Sequence, residues 1–142
     1  MTIAAILKTK GGDVVSLPPT ASVAEAVALL AERRIGAMPV TEAGKVLGIF
    51  SERDVIYCLQ AHRSAALDRA IGEVMTAPVQ TVASADAVLA ALSLMTRRRI
   101  RHLPVVDGGQ MVGFVSIGDL VKHRIDRIEA EAAAMRDYIQ SA

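Results

Sequence analysis

The sequence predicts an α/β (α+β) fold made of two β-α-β-β-α motifs that pack with pseudo-twofold symmetry, plus a C-terminal amphipathic helix. Three observations predict this fold: an internal repeat, apolar residues at helical spacing, and short apolar runs bounded by turn-forming residues. The chain has 142 residues, of which 52% are apolar and 3% aromatic. Such a chain has enough aliphatic and Met side chains to bury a core, and it is too apolar to be disordered.

The repeat appears when the chain is shifted by 65 positions, which places residues 14–58 on residues 79–123 without a gap. Thirteen of the 45 aligned pairs are identical, and most of the others are conservative. The identical pairs include Ile35/Ile100, Pro39/Pro104, Gly44/Gly109, Gly48/Gly113, Ser51/Ser116 and Asp54/Asp119. The sequence therefore predicts a duplicated unit.

Each copy starts with a short extended run, at residues 14–17 and 79–82, and a helix follows it. In copy one, Ser22 and Glu25 have the spacing of a capping box at the start of this helix. In copy two we expect Asp86 to cap the equivalent helix.

Two strands and a second helix complete each copy. The strands are predicted at 38–40 and 46–50 in copy one, and at 103–106 and 111–115 in copy two, with a glycine-containing tight turn between them. The second helix is expected to open at Ser51 or Ser116. One such unit is too small to bury its own sheet face, so we expect the two copies to share one core.

We assign residues 10–60 to motif one, 61–73 to a linker, 74–124 to motif two and 125–142 to a C-terminal helix. The linker is polar at its start and then helical. The C-terminal helix continues or follows the last helix of copy two. Its apolar stripe contains Ile125, Ile128, Ala132, Met135 and Ile139. This stripe is expected to fold back on the domain or to meet a second chain.

Charge, cysteine content and hydropathy exclude several classes of protein. The net charge of +1 gives no general attraction to nucleic acid or to an anionic membrane, and the basic run 97–101 is more typical of a solvated helix end. Cys58 is the single cysteine, so an internal disulfide is excluded. No apolar run approaches the roughly 20 residues of a membrane span, and the N-terminus has no basic leader. We expect a cytoplasmic protein that binds neither nucleic acid nor membrane.

The sequence contains none of the common catalytic motifs. It has no phosphate-binding Gly-rich loop that ends in Gly-Lys, no Gly-x-Ser-x-Gly and no Cys/His pair at catalytic spacing. His62, His102 and His123 lack the paired spacing of metal ligands. We therefore predict that the protein is not an enzyme and has no metal or other cofactor.

Three segments resemble the CBS domain family, which is named after cystathionine β-synthase: EVMTAPV at 73–79, RIRHLPVVD at 99–107 and GFVSIGD at 113–119. The tandem pair resembles a Bateman module, and the resemblance covers residues 10–124. It implies a stand-alone regulatory module that binds an adenosine ligand (AMP, ADP, ATP, NAD or S-adenosylmethionine) in clefts between the two copies. It also implies a homodimer and a regulated protein that the sequence does not identify.

The residues themselves support two interpretations of the repeated Ser-x-x-Asp. A helix N-terminus offers unpaired N–H groups to phosphate, and an Asp one turn later can accept both ribose hydroxyls. The same spacing is also that of an ordinary capping box. Its recurrence at Ser51/Asp54 and Ser116/Asp119 favours ligand binding, while the alternative is a structural oligomerisation scaffold with vestigial clefts.

The family pattern implies one cleft for each copy. The residues expected in the first cleft are Ser51, Arg53, Asp54, Val79, Gln80, Ile100, Arg101 and His102. The residues expected in the second cleft are Lys10, Val14, Val15, Ile35, Gly36, Ala37, Ser116 and Asp119. Arg53, Arg101 and His102 stand where the other copy has Gly118, Gly36 and Ala37. We therefore expect the Asp54 cleft to take the more highly charged ligand, and the Asp119 cleft to take a less charged one or to stay empty.

Overall fold

A computed structural model describes residues 1–141, which form six α-helices, one 3₁₀ helix and four strands. The elements of the first half are α1 (Ile3–Lys10), α2 (Val23–Arg33), β1 (Ala37–Glu42), β2 (Lys45–Ser51), α3 (Glu52–His62) and the 3₁₀ helix (Arg63–Asp68). Those of the second half are α4 (Ile71–Val74), α5 (Val88–Arg98), β3 (His102–Asp107), β4 (Gln110–Ser116) and α6 (Ile117–Ser141). This architecture confirms the predicted fold class.

The two β-hairpins have the same pairing register. Ala37 lies opposite Ser51 in the first hairpin, and His102 lies opposite Ser116 in the second. Both hairpins carry a bulge at the equivalent position, after Val40 and after Val105. The two central residues of each turn have positive φ, as in the type I′ turns that match the twist of a hairpin. The repeat is thus a structural duplication.

The extended run expected at the start of each copy is shorter than a strand. It is reduced to one parallel bridge, from Leu17 to Val40 in copy one and from Val82 to Val105 in copy two. In copy one, Pro18 follows the bridge and has no N–H group with which to continue the ladder. In copy two, the carboxylate of Asp86 accepts the Ala83 N–H at 2.8 Å.

That contact also corrects the expected helix cap of copy two. The N-cap residue of α5 is Ala87, which offers no side-chain acceptor, because the Asp86 carboxylate closes the preceding turn instead. In copy one, the Ser22 hydroxyl accepts the Glu25 N–H at 3.1 Å, which is one half of the predicted capping box; the return hydrogen bond from the Ser22 N–H to the Glu25 side chain is absent among residues 1–141.

The structure has two core clusters where the sequence predicted one shared core. The N-terminal helix α1 inserts Ile3 and Ile6 into the core of copy two, and Ile71 of α4 completes the core of copy one. Backbone hydrogen bonds hold both inserted segments in place: the Val88 N–H donates to the Met1 carbonyl, and the Val23 N–H donates to the Arg69 carbonyl. Each copy therefore closes its core with a segment that lies outside the repeated stretch.

The last helix, α6, is continuous for 25 residues. Leu120 lies in the core of copy two, whereas nearly every residue after His123 is exposed. The C-terminal helix is thus a continuation of the last helix of copy two, and it does not fold back on the domain. None of the helices described for residues 1–141 combines the length and the hydropathy needed to cross a bilayer.

Candidate functional site

The two copies meet where their hairpins and second helices begin. The turns of the two hairpins touch, and the Met111 N–H donates to the Gly44 carbonyl at 3.0 Å. At the opposite ends of the hairpins, β2 leads into α3 and β4 leads into α6. The N-terminus of α6 therefore faces the segments of copy one that precede β1.

A cavity of about 430 Å³ lies at this junction, within the usual size range of small-molecule sites. Both copies and the end of α1 contribute to its walls. Its lining residues are Lys10, Asp13, Val14, Val15, Arg34, Ile35, Gly36, Ala37, His102, Phe114, Ser116 and Asp119. All eight residues that the sequence placed in the second cleft line this cavity, which is called the Asp119 cavity below.

Four lining residues were not expected in this cleft: Asp13, Arg34, His102 and Phe114. Two of them carry a signal in the sequence. Phe114 lies two positions before Ser116 on β4, and residues two apart on a strand share a face. Arg34 is the left-handed C-cap of α2, with a φ of 53°, and it directly precedes Ile35.

Asp119 lies in the first turn of α6 and forms a capping box with Ser116. The Ser116 N–H donates to Oδ2 at 2.8 Å, and the Asp119 N–H donates to the Ser116 Oγ at 3.2 Å. Lys10 also donates to Oδ2, at 2.6 Å. Within residues 1–141, all the hydrogen bonds to this carboxylate fall on Oδ2. Oδ1 is therefore available as an acceptor beside the cavity.

Lys10, the last residue of α1, hydrogen-bonds to two residues that line the cavity. Its Nζ donates to the Phe114 carbonyl at 2.7 Å as well as to Asp119. Burial would raise the pKa of Asp119, but the hydrogen bonds from Lys10 and Ser116 outweigh it, so the net shift is downward. The carboxylate is therefore ionised at neutral pH.

His102 forms part of the wall opposite Gly36. Its ring stacks on Phe114, with centroids 5.7 Å apart and an interplanar angle of 9°. A Cβ placed on Gly36 would lie 3.8 Å from the His102 Cε1. Burial lowers the pKa of His102, and the positive charge of Lys10 lowers it further. The ring is therefore predominantly neutral at pH 7.

The position of His102 differs from the sequence expectation, which grouped it with the Asp54 cleft. The ring lies in the Asp119 cavity because β3 pairs His102 with Ser116, which is itself a cavity residue.

Asp54 has a different environment from its repeat partner. It is buried, with 7% of its surface exposed, and both carboxylate oxygens are engaged. The Ser51 N–H and hydroxyl donate to Oδ2 at 2.9 and 3.1 Å, and the Thr76 hydroxyl donates to Oδ1 at 2.9 Å. The low exposure of Asp54 leaves a ribose little access to the remaining acceptor site of Oδ1.

The other residues expected around Asp54 have mixed exposure. Ser51, Val79 and Ile100 are half-buried, whereas Arg53, Gln80 and Arg101 are exposed. The expectation that this cleft takes the more charged ligand depended on cations gathered at Asp54. In the structure, His102 lies in the wall of the Asp119 cavity, which Lys10 and Arg34 also line, and the charge difference between the two clefts stays a prediction.

A larger cavity of about 510 Å³ lies on copy one alone, between α2 and α3. Its lining is mostly aliphatic: Val27, Leu30, Ala31, Arg34, Ile35, Glu52, Val55 and Ile56. It includes neither of the Ser-x-x-Asp carboxylates. Across residues 1–141, no cluster of three or more His, Cys, Asp or Glu side chains is placed to hold a metal ion.

Comparison with known proteins identifies relatives that match most of the chain. The sequence model of the CBS domain matches twice, at residues 4–61 and 71–126. A CBS-domain containing protein from Agrobacterium tumefaciens has a crystal structure with a TM-score of 0.82 and 38% identity, and the match covers 87% of this chain and 99% of that chain.

Two further solved structures contain adenosine compounds. A CBS domain protein from Pyrobaculum aerophilum complexed with AMP has a TM-score of 0.74 and 31% identity, over 84% of this chain and 89% of that chain. A CBS domain pair in complex with 5-methylthioadenosine and S-adenosyl-L-methionine has a TM-score of 0.76 and 25% identity, over 89% of this chain and 98% of that chain.

Proposed function

The chain belongs to the CBS-domain family as a tandem pair, and on that premise we propose that it is a non-catalytic regulatory module that binds an adenosine ligand in the Asp119 cavity. One observation carries the proposal: an ionised carboxylate with an available oxygen lies beside a cavity that both copies line. A ligand held there touches both copies, so it can bias their relative arrangement through its contacts.

Each part of an adenosine ligand has a matching feature in the cavity. The Asp119 Oδ1 is placed to accept a ribose hydroxyl in a charge-assisted hydrogen bond. The stacked rings of His102 and Phe114 offer a flat apolar surface to the base. The N-terminus of α6 and the Arg34 guanidinium favour a phosphate group.

The charges of the cavity favour a ligand with little net negative charge. Lys10 and Arg34 contribute two positive charges, Asp13 and Asp119 contribute two negative ones, and His102 is neutral. A triphosphate would therefore meet no excess of positive charge. We expect AMP or a sulfur-containing adenosine compound such as S-adenosylmethionine to bind more tightly than ATP or ADP. The relatives that hold AMP and S-adenosyl-L-methionine support this choice.

The Asp54 cleft is the weaker candidate for a second site. Its carboxylate is buried and already accepts three hydrogen bonds from Ser51 and Thr76, so a ribose has less access to it than to Asp119. As part of the same proposal, the module acts as a cytoplasmic homodimer and passes the ligand signal to a regulated protein.

Calorimetric titration tests the proposal with AMP, ATP, NAD and S-adenosylmethionine as ligands. We compare the wild type with Asp119→Asn, and with Asp54→Asn as the matched variant at the repeat-equivalent position. Loss of a charged hydrogen bond worth about 1.5–3 kcal/mol predicts that Asp119→Asn weakens binding by about 10- to 150-fold. Asp54→Asn should leave the tightest site unchanged.

Two results would contradict the proposal. If none of the four ligands binds the wild type, the structural scaffold becomes the better interpretation. If Asp54→Asn abolishes the tightest site and Asp119→Asn spares it, the ligand belongs in the other cleft. Urea unfolding of both variants, followed by circular dichroism, separates loss of binding from loss of fold.

A further inference from the structure

The exposed part of α6 carries an apolar stripe with heptad spacing. Its residues are Val121, Ile125, Ile128, Ala132, Met135 and Ile139, at alternating intervals of four and three. This is the a/d spacing of a coiled coil, in which positions 125, 132 and 139 are a and positions 121, 128 and 135 are d. These residues are called the α6 stripe.

The residues that the structure describes, 1–141, leave the α6 stripe largely uncovered. The exposed fraction rises along the helix, from 41% at Val121 through 49% at Ile128 to 65% at Ile139. The stripe from 121 to 139 is about 27 Å long at 1.5 Å per residue. Apolar side chains in such a continuous row are costly to leave in water, so the stripe is suited to packing against a second helix.

The charges that flank the stripe identify the partner and its direction. Arg124 and Glu131 occupy g positions, and Glu129 and Arg136 occupy e positions. In a parallel, in-register pair of α6 helices, each g residue faces the e residue five positions later in the other helix. Arg124 would then face Glu129 of the second copy, and Glu131 would face Arg136 of the second copy. Symmetry repeats each opposite-charge pair.

The antiparallel arrangement brings like charges together. In such a pair, e faces e and g faces g. With the stripes fully overlapped, Glu129 faces Glu129 of the second copy, and Glu131 faces Glu131 of the second copy. Lys122 faces Arg136 of the second copy. All three contacts are repulsive, so the same sequence that favours the parallel pair opposes the reverse one.

We propose that α6 pairs with the α6 of a second copy of this chain as a parallel, in-register, two-stranded coiled coil. This arrangement sets the second CBS motifs of the two chains side by side, around a twofold axis along the coiled coil. The inference rests on the homodimer of the proposed function, and it does not depend on which ligand binds.

Disulfide trapping of the full chain tests the direction of pairing. In a Cys58→Ala background, Ile139→Cys places one thiol at an a position, where it meets its own copy only in the parallel pair. The matched control is Gln140→Cys, because position b points away from the seam. Under mild oxidation we expect covalent dimers from Ile139→Cys and at least tenfold fewer from Gln140→Cys.

A charge-reversal cycle tests the flanking pairs by sedimentation equilibrium. Glu129→Arg alone, or Arg124→Glu alone, should weaken the dimer by about tenfold, because each creates two repulsive contacts. The double variant should restore the wild-type dissociation constant. Asp126→Arg, at the outward b position, is the matched control and should leave it unchanged.

Three results would overturn the inference: a monomeric wild type, equal trapping at positions 139 and 140, or a double variant no tighter than the singles. Trapping between Val121→Cys of one chain and Ile139→Cys of another would show the antiparallel pair instead. AMP titration of the same variants keeps this outcome separate from the proposed function, because ligand binding within one chain can persist when the coiled coil is absent.

Discussion

Replacing Lys10 by Met tests whether the Asp119 carboxylate is held in place by the N-terminal helix. The substitution keeps a long apolar side chain and removes only the ammonium group, which lies 2.6 Å from the Asp119 Oδ2 and 2.7 Å from the Phe114 carbonyl. A charged hydrogen bond contributes about 1.5–3 kcal/mol. The two side chains are 36% and 28% exposed, so solvent screening reduces the expected loss of unfolding free energy to about 1 kcal/mol.

The pH dependence of that loss has a definite direction. The pKa of Asp119 is lower in the folded chain than in the unfolded one, because the hydrogen bonds from Lys10 and Ser116 outweigh the opposing effect of burial. The stabilisation is therefore complete above the unfolded pKa and is lost as the pH falls through the folded pKa. We expect the difference between wild type and Lys10→Met to be largest at neutral pH and to shrink as the pH falls below the ordinary pKa of an aspartate.

Urea unfolding at several pH values measures this difference. Lys8→Met is the matched control, since Lys8 is an exposed residue of the same helix and forms no ion pair among the described residues. Its effect on the free energy of unfolding should be within about 0.5 kcal/mol at every pH. The reasoning is refuted if Lys10→Met costs the same at pH 3 as at pH 7, or if Lys8→Met costs as much as Lys10→Met.

Two glycine substitutions probe the packing and the cavity. Gly48→Ala should lower the unfolding free energy by about 1–3 kcal/mol, and by more than Gly113→Ala, as urea unfolding would measure. The added Cβ meets the Thr76 backbone oxygen at 2.8 Å in the first case and the movable tip of Leu7 at 2.5 Å in the second; equal costs would contradict this account. Gly36→Val should abolish AMP binding in calorimetry, because Gly36 lines the cavity, and it should lower the urea midpoint only slightly, because the added Cβ meets the movable Glu52 carboxylate at 3.3 Å; unchanged affinity would exclude this wall as a ligand contact.

The repeat allowed most of the architecture to be predicted, because local signals marked both copies. Glycines at the equivalent turn positions 44 and 109 have positive φ, and the serines at 51 and 116 begin the second helices. The first strand of each copy was overestimated, because each run forms a single bridge and then turns away. In copy one, residues 14–17 are followed by Pro18, which cannot continue the ladder. In copy two, the Asp86 carboxylate takes the Ala83 N–H and closes a turn directly after Val82.

The closing segments of the two cores were not predictable from the 65-residue shift. Ile3 and Ile71 occupy equivalent places in the cores of copy two and copy one. Leu7 and Met75 lie against the equivalent glycines Gly113 and Gly48. The two residues of each pair are 68 positions apart. A three-residue insertion therefore hides this part of the duplication from an ungapped comparison. The hydrogen bonds at the start of α2 and α5 reveal it instead. The Val23 N–H donates to the Arg69 carbonyl and the Val88 N–H donates to the Met1 carbonyl, and these two carbonyls are also 68 positions apart.

In the candidate site, the placement of the backbone segments was predictable from the sequence, but the environment of each carboxylate was not. The repeat fixes which backbone segments meet, and the eight residues expected with Asp119 line one cavity. The different environments of Asp54 and Asp119 depend on single side chains instead. Thr76 occupies one carboxylate oxygen of Asp54, and no residue described in the structure occupies the equivalent oxygen of Asp119. Such differences depend on the reach of individual side chains, which residue spacing does not encode.

Helix α6 contains both the carboxylate of the proposed ligand site and the proposed contact between two chains. Asp119 lies in its first turn, and the α6 stripe begins two residues later at Val121. A rigid helix cannot shift at its N-terminus without moving the stripe, so a ligand that displaces Lys10 or pulls on Asp119 also acts on the packing of the two chains. Linkage then requires reciprocity: if the ligand tightens the dimer by some factor, dimerisation tightens the ligand by the same factor. If both proposals hold, the regulatory signal is a change in the geometry of the paired α6 helices, and it needs no catalytic step.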